Sequence, residues 1–217
     1  MRNLRYPFEL LLTVLFLSTS IVVILPAASR AQTVSYETRP QGLEEVERLT
    51  TTAMRLIKSG NQKAALIAFQ SAATKARLHL GPTDYRYIQS LNNLALAYET
   101  SGSLNRSERI YRQAIAIAEA QPKLHAGQLP SLHNNLAAVL LQQCRITDAR
   151  ALYQRALVLS EKSLGAQHTD TIMVRYNVER LDRYLSAPQP TRASIVQTNL
   201  GSRSSDGIGS LLQRCVS

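Results

Sequence analysis

The chain has 217 residues, of which 45% are hydrophobic and 18% are charged, with 9 glycines, 8 prolines and 2 cysteines. Collagen-like, glycine-rich and disulfide-rich proteins are excluded, because each needs a far larger share of glycine, proline or cysteine, so one globular domain with terminal segments is expected. The formal net charge of +10 at pH 7 favours anionic partners but does not indicate a fold.

The N-terminus has the pattern of a secretory signal peptide. Arg2 and Arg5 precede an apolar run of 16 residues, and the small residues Ser29 and Ala31 stand third and first before the expected cleavage point. Residues 1–31 are therefore predicted to direct export, so the protein is periplasmic or secreted. The alternative is an uncleaved segment that anchors the chain in the membrane. In both cases membrane contact is expected only through this segment.

A self-similar region follows a linker predicted over residues 32–43. The sequence Asn-Asn-Leu-Ala at 92–95 returns at 134–137, an offset of 42 residues. Periods of this size are typical of helical arrays. Three further columns keep the offset, one aromatic, one of small residues and one at a turn: Phe69, Tyr111 and Tyr153; Ala65, Ser107 and Ala149; Gly60, Gly102 and Cys144.

Each repeat is predicted to form two amphipathic helices, because apolar residues recur at positions i, i+3 and i+4 in both of its halves. Glycine and proline mark the expected helix ends. The last helix is more charged than the others, so we expect it to cap the array. The predicted helices lie near residues 44–58, 62–80, 85–101, 104–120, 128–143, 146–164 and 169–185.

Residues 44–185 resemble the tetratricopeptide repeats, specifically the 42-residue type of kinesin light chains. The resemblance implies an all-α fold, a right-handed antiparallel helical-hairpin solenoid with about three repeats and a C-terminal capping helix. It also implies a concave groove, lined by the first helix of each repeat, that binds peptides. The residues that carry the resemblance are Leu-Asn-Asn-Leu-Ala at 91–95, Gly102, Tyr111, Ala114 and the connector Leu-Gly-Ala-Gln-His-Thr-Asp at 164–170.

One face of each first helix is not used by the apolar packing stripe and provides the candidate groove. Asparagine recurs on this face with a period of 42 residues. A primary amide both donates and accepts hydrogen bonds, so it can pair with the backbone of any extended peptide. The candidate groove residues are Gln89, Asn93, Leu96, Thr100, Ser131, Asn135, Gln142 and Asn177.

The asparagine pairs admit two interpretations. Asn92 and Asn134 are explained at least as well by hydrogen bonds between neighbouring helices as by a groove. For Asn93, Asn135 and Asn177 the groove is favoured. On that interpretation, alanine at both 93 and 135 abolishes peptide capture and leaves the melting temperature near wild type.

The cysteines and one histidine carry further expectations. Cys144 and Cys215 could form a disulfide, since export places them in an oxidising environment. Alternatively, Cys144 is a buried apolar side chain and Cys215 a free thiol. The segment 186–217 is rich in serine, glycine and proline and is predicted to be a disordered tail. His133 occupies the packing column of Leu91, which predicts sensitivity to mild acid.

The sequence contains no recognisable catalytic motif or metal-ligand spacing, so neither an enzyme nor a cofactor or metal is expected. It also lacks the runs of basic residues that nucleic-acid binding favours. The favoured function is a non-enzymatic scaffold of the cell envelope that binds a peptide segment of another protein. The alternative is an envelope-associated structural protein that holds anionic lipid or polysaccharide through its basic surface.

Overall fold

The computed structural model describes residues 38–186 and 214–215. The predicted signal peptide, the start of the linker and most of the predicted disordered tail lie outside these residues. Between residues 38 and 186 the chain forms eight helices, which are α1 (Thr38–Lys58), α2 (Gln62–His79), α3 (Tyr85–Thr100), α4 (Leu104–Ala120), α5 (Pro122–His125), α6 (Leu129–Gln142), α7 (Ile146–Leu164) and α8 (Thr169–Ser186).

The helices form hairpins that stack in chain order. The pairs α1 and α2, α3 and α4, and α6 and α7 each pack together. The second helix of each pair also packs on the first helix of the next, so α2 contacts α3, α4 contacts α6 and α7 contacts α8. This arrangement is the predicted solenoid. Among helices α1 to α8, none combines the length and hydrophobicity that crossing a bilayer requires.

The repeated columns form the core of the stack. The aromatic and small side chains of two of these columns are all buried: Phe69, Tyr111 and Tyr153; Ala65, Ser107 and Ala149. The rings fill the layer between successive hairpins, and the small residues let the second helix approach the first closely. The one polar member, Ser107, donates its hydroxyl hydrogen to the carbonyl oxygen of Ala95 at 2.7 Å, which satisfies it without water.

The end of the array carries charges where the other repeats carry apolar residues. Within the described residues no second helix follows α8. Ala95 and Ala137 are buried against their own second helices, whereas Glu179, one period later, is exposed. Asp182 accepts a hydrogen bond from Arg150 at 2.6 Å. The predicted capping role of the last helix is therefore seen in its charged outer face.

The start of α1 corrects the predicted linker. The helix begins at Thr38, so residues 38–43 are helical and not part of a linker. Pro40 falls in the first turn, where a missing N–H costs no helical hydrogen bond. Gly42 lies so close to α2 that an added Cβ would be 2.4 Å from Cβ of His79. The extra turn of α1 is therefore packed against α2, a contact that sequence periodicity alone does not reveal.

Helix α5 is a second difference from the prediction, which has no helix between 120 and 128. Pro122 is the first residue of this single turn rather than only the end of α4. The turn buries His125, and Gln128 after it donates to the carbonyl oxygen of Tyr85 at 2.8 Å. Apart from the start of α1, the other predicted helix ends agree with the structure within one residue.

The turn inside each hairpin requires a left-handed backbone. Gly60, Gly102 and Cys144 have φ of 78°, 76° and 62°. In the second turn, Gly102 N–H donates to the oxygen of Glu99 at 2.9 Å, and Ser103 N–H to that of Tyr98 at 2.8 Å. This bonding pattern closes many helices and favours glycine at the left-handed position. Cys144 adopts it without glycine's conformational freedom.

Alanine at Gly102 is expected to lower the free energy of unfolding by about 1 kcal/mol, since an added Cβ disfavours the left-handed backbone. No atom lies within 4 Å of such a Cβ, so the loss would come from the backbone alone. Gly127→Ala is the control, because Gly127 also has free space and no positive φ. Urea denaturation of both variants measures the difference, and equal stabilities would contradict this account.

His133 is buried in the core beside an ion pair. Its Nε2 lies 3.6 Å from Oε1 of Glu119, and Arg155 donates to the same carboxylate oxygen at 2.8 Å. Burial and the Arg155 guanidinium lower the pKa of His133, against the opposing effect of Glu119. The folded state therefore favours the neutral imidazole.

The fold is expected to lose stability as the pH falls through the range below about 6.5, the ordinary pKa of histidine. In that range the unfolded chain binds more protons than the folded chain, so acid favours unfolding. His133→Leu introduces the residue type of Leu91 and should remove this part of the pH dependence. Denaturant titrations at several pH values test it, and parallel pH profiles for wild type and variant would disprove the role of His133.

Candidate functional site

The first helices of successive repeats are joined by a chain of side-chain amides, here called the amide strip: Asn92, Asn134, Asn135 and Asn177. Asn177 Nδ2 donates to Asn134 Oδ1 at 2.9 Å, and Asn134 Nδ2 donates to Asn135 Oδ1 at 3.2 Å. Asn135 Nδ2 then donates to Asn92 Oδ1 at 3.0 Å. The strip crosses from α8 through α6 to α3, and its four side chains are half-buried.

The strip combines the two asparagine columns that the sequence interpretation separates. Asn92 and Asn134 bridge neighbouring helices, as one interpretation expects, but Asn135 and Asn177 are their partners in those bridges. The partners on different helices are 43 residues apart, one more than the repeat, so each bridge joins one column to the other. A primary amide has a second N–H and further acceptor capacity beyond these bonds, part of which Asn135 directs at the hydroxyl of Tyr111.

Asn93 is placed differently from the other predicted groove asparagines. Its side chain is 8% exposed and accepts a hydrogen bond from Nε2 of the exposed Gln89 at 3.3 Å. The structure therefore brings Gln89 and Asn93 together on α3, apart from the strip. The burial of Asn93 leaves Gln89 as the more accessible amide of the two.

The remaining polar residues predicted for the groove are hydrogen-bonded locally or to the neighbouring repeat. Thr100 and Ser131 donate their hydroxyl hydrogens to backbone oxygens three residues earlier, at 3.1 and 2.9 Å. Gln142 Nε2 donates to Oε1 of Glu99, which joins α6 to α3. Gln142 thus belongs to a second inter-repeat bridge.

Glu99 is a residue of this face that the sequence interpretation missed. Burial raises the pKa of its carboxyl group, and the hydrogen bond from Gln142 partly offsets this effect. Burial and the nearby Glu99 also raise the pKa of Tyr111 beyond its usual range and that of Tyr153 to about 12. Both tyrosines are thus neutral at physiological pH. The sequence signal that could have identified Glu99 is its position 43 residues before Gln142, the same spacing as the asparagine pairs.

Exposed apolar side chains flank the amide strip. Leu96 is 46% exposed on α3, and Met173 and Tyr176 are 56% and 48% exposed on α8. Met173 lies two periods of 42 residues after Gln89, and Tyr176 lies one period after Asn134. We define the groove face as Gln89, Asn92, Leu96, Glu99, Ser131, Asn134, Asn135, Gln142, Met173, Tyr176, Asn177 and Arg180.

The chemistry of the groove face is that of hydrogen bonding and apolar contact. Arg180 lies over the ring of Tyr176, with its guanidinium carbon 5.3 Å from the ring centre. Over residues 38–186 and 214–215, no three His, Cys, Asp or Glu side chains are grouped so that they could hold a metal ion.

Asn135→Ala is expected to lower the free energy of unfolding by about 1–3 kcal/mol, because it leaves half-buried groups of Asn92 and Asn134 without their partner. This expectation replaces the unchanged melting temperature predicted from sequence. Ser131→Ala on the same helix is the control, since its exposed hydroxyl bonds only to its own helix. Thermal and urea denaturation measure both. A stable Asn135→Ala variant would mean that the strip contributes nothing to the fold.

Comparison with known proteins identifies the repeats. Profiles of the tetratricopeptide repeat family match residues 88–120 and 128–190. No curated protein matches the chain significantly.

Three solved structures share the fold at low sequence identity. A putative kinesin light chain from Podosopora anserina, with nearly identical TPR-like repeats, is 15% identical, with 78% of this chain and 84% of that chain covered and a TM-score of 0.55. BtubC (BKLC) from P. vanneervenii is 14% identical, with coverage of 74% and 68% and a TM-score of 0.52. The type III secretion translocator chaperone SycD of Yersinia enterocolitica is 17% identical, with coverage of 65% and 86% and a TM-score of 0.50.

The repeat profiles fall on the helices that stack in the structure, and the solved structures have the same helical-hairpin array. The chain is therefore a tetratricopeptide-repeat protein whose repeats share the fold of kinesin light chain repeats.

Proposed function

We propose that this protein is a non-enzymatic interaction scaffold of the cell envelope that binds an extended peptide segment of a partner protein on the groove face. The observation that carries the proposal is the amide strip with exposed Leu96, Met173 and Tyr176 beside it. The fold is shared with a translocator chaperone, which is consistent with a role in holding other proteins.

The groove face has the chemistry that an extended peptide needs. The mutual hydrogen bonds of the strip hold its amides in fixed orientations, so a ligand does not have to order them on binding. Their remaining donors and acceptors suit backbone amides of any sequence. The exposed apolar groups at both ends of the strip provide contact area for ligand side chains. The ligand is thus a neutral or weakly charged segment with apolar side chains.

The proposed location in the envelope rests on two features. The basic start, apolar run and small residues of 1–31 favour export, although this segment lies outside the described residues. The disulfide between Cys144 and Cys215 is of a kind that persists in oxidising compartments. Amino-terminal sequencing of the mature protein tests export, and a retained Met1 would exclude the cleaved form.

Selection of random displayed peptides against the full chain tests binding on the groove face. We expect Leu96→Ser and Tyr176→Ser each to weaken the selected peptides by about tenfold or more, as for central apolar contacts in other interfaces. Ile67→Ser is the matched control, since Ile67 is 62% exposed but lies on the second helix α2. Equal losses in all three variants would contradict groove binding.

Salt dependence separates this function from attachment to anionic lipid or polysaccharide through the basic surface. Raising the salt from about 0.1 to about 1 M shortens the screening length from about 10 to about 3 Å. Peptide binding on the groove face should change little, whereas binding to vesicles that contain phosphatidylglycerol should be lost. Salt-sensitive vesicle binding without any selected peptide would favour the basic-surface function instead.

A further inference from the structure

The turn between α6 and α7 is hydrogen-bonded to the second hairpin. Gln142 donates to Glu99, and Gln143 donates to Oδ1 of Asn105 at 3.2 Å. Arg145 donates to Oε1 of Glu108 at 2.8 Å. These contacts all reach α3 or α4, so residues 142–145 join the third hairpin to the second.

The remaining residue of this turn is covalently held. Cys144 forms a disulfide with Cys215, with the two Cα atoms 5.1 Å apart and the two residues separated by 71 positions in sequence. The Sγ of Cys215 also lies 3.8 Å from the carbonyl oxygen of Leu141, the residue before the turn. The described C-terminal residues are thus covalently attached to this turn.

Cys144 occupies a backbone conformation that its residue type disfavours. The other two hairpins place Gly60 and Gly102 at this position, whereas Cys144 has φ of 62°. A left-handed conformation costs a residue with a Cβ about 1–2 kcal/mol relative to the right-handed one. Such strain persists only where the surroundings hold the residue in place. The disulfide supplies a covalent constraint at this residue.

We propose that the Cys144–Cys215 disulfide is a redox-sensitive clamp that holds the 142–145 turn, and with it the Glu99 end of the groove face, in its observed conformation. When the disulfide is reduced, Cys144 is released and the turn relaxes away from the left-handed backbone. The link from Gln142 to Glu99 weakens with it. The consequence for ligand binding rests on the proposed function, whereas the clamp itself does not.

A dithiol is the class of reductant that would open the clamp. Cys144 is exposed, so a dithiol thiolate can attack its sulfur, break the S–S bond and release Cys215 as a thiolate. The second thiol of the reductant then displaces Cys144 and forms the reductant's own disulfide. Two electrons and two protons pass to the protein, which ends with two free thiols.

Hydrogen exchange of the full chain, with and without dithiothreitol, tests the clamp. In the oxidised protein, the amides of Gln143, Cys144 and Arg145 are bonded to carbonyl oxygens of α6. We expect them to exchange about tenfold faster after reduction, the ratio that corresponds to about 1.4 kcal/mol. The equivalent amides of Gly102 and Ser103 serve as an internal control and should not change.

Two variants separate loss of the bond from relief of the backbone. Cys215→Ser keeps Cys144 and should exchange fast without any reductant. Cys144→Gly also lacks the disulfide, but glycine adopts the left-handed backbone of the turn freely. The amides at 143–145 of this variant should therefore exchange slowly, at a rate that dithiothreitol does not change. Circular dichroism confirms that both variants are helical.

Two results would overturn the proposal. One is unchanged exchange at 143–145 in both the reduced wild type and Cys215→Ser. The other is a Cys144→Gly variant that exchanges as fast as Cys215→Ser. No ligand takes part in these measurements, so a failure here is independent of the proposed function. Conversely, a failure to select any peptide would count against the function and leave the clamp standing.

Discussion

The structure depends on the layer in which the second helix of one hairpin meets the first helix of the next. Helices in a solenoid pack mainly on adjacent repeats, so among α1 to α8 each layer depends on the two helices that form it. Buried rings of Phe69, Tyr111 and Tyr153 fill these layers. Burial of the two tyrosines in these layers raises the pKa of their hydroxyls, and the charge of Glu99 adds to this effect. The core of the layers is therefore coupled electrostatically to Glu99 on the groove face.

The amide strip, on the face proposed to bind peptide, is also part of the structure that holds the repeats together. Three asparagine hydrogen bonds run in one direction across three first helices. Because the amides bond to one another, their geometry is fixed before any ligand arrives. The same bonds mean that substitutions in the strip test stability and binding together. Exposed apolar residues such as Leu96 and Tyr176 report on binding more directly.

The sequence was sufficient for the features that depend on periodicity. The 42-residue columns predict the hairpins and the turns inside them, because the same packing contacts recur in each repeat. Features that break the period were not predictable. The first turn of α1 depends on a close contact between Gly42 and His79, and α5 occurs in a connector without a counterpart elsewhere.

The candidate site was predicted less completely than the fold. Periodicity placed Asn135 and Asn177 on the correct helices, but a column analysis compares positions 42 residues apart. The hydrogen bonds instead join side chains 43 residues apart. Asn93 was expected in the groove and is buried, while Glu99 was missed. Such details depend on the rotation between successive hairpins, which a single sequence does not specify.

The charged outer face of α8 limits how long the assembly can grow. A solenoid with an apolar terminal face could add another copy of itself end to end and continue as a filament. Here Glu179 and the Arg150–Asp182 pair would have to leave water in such a junction, which opposes head-to-tail polymerisation. The residues of this one helix thus give the described array a polar face at its C-terminal end.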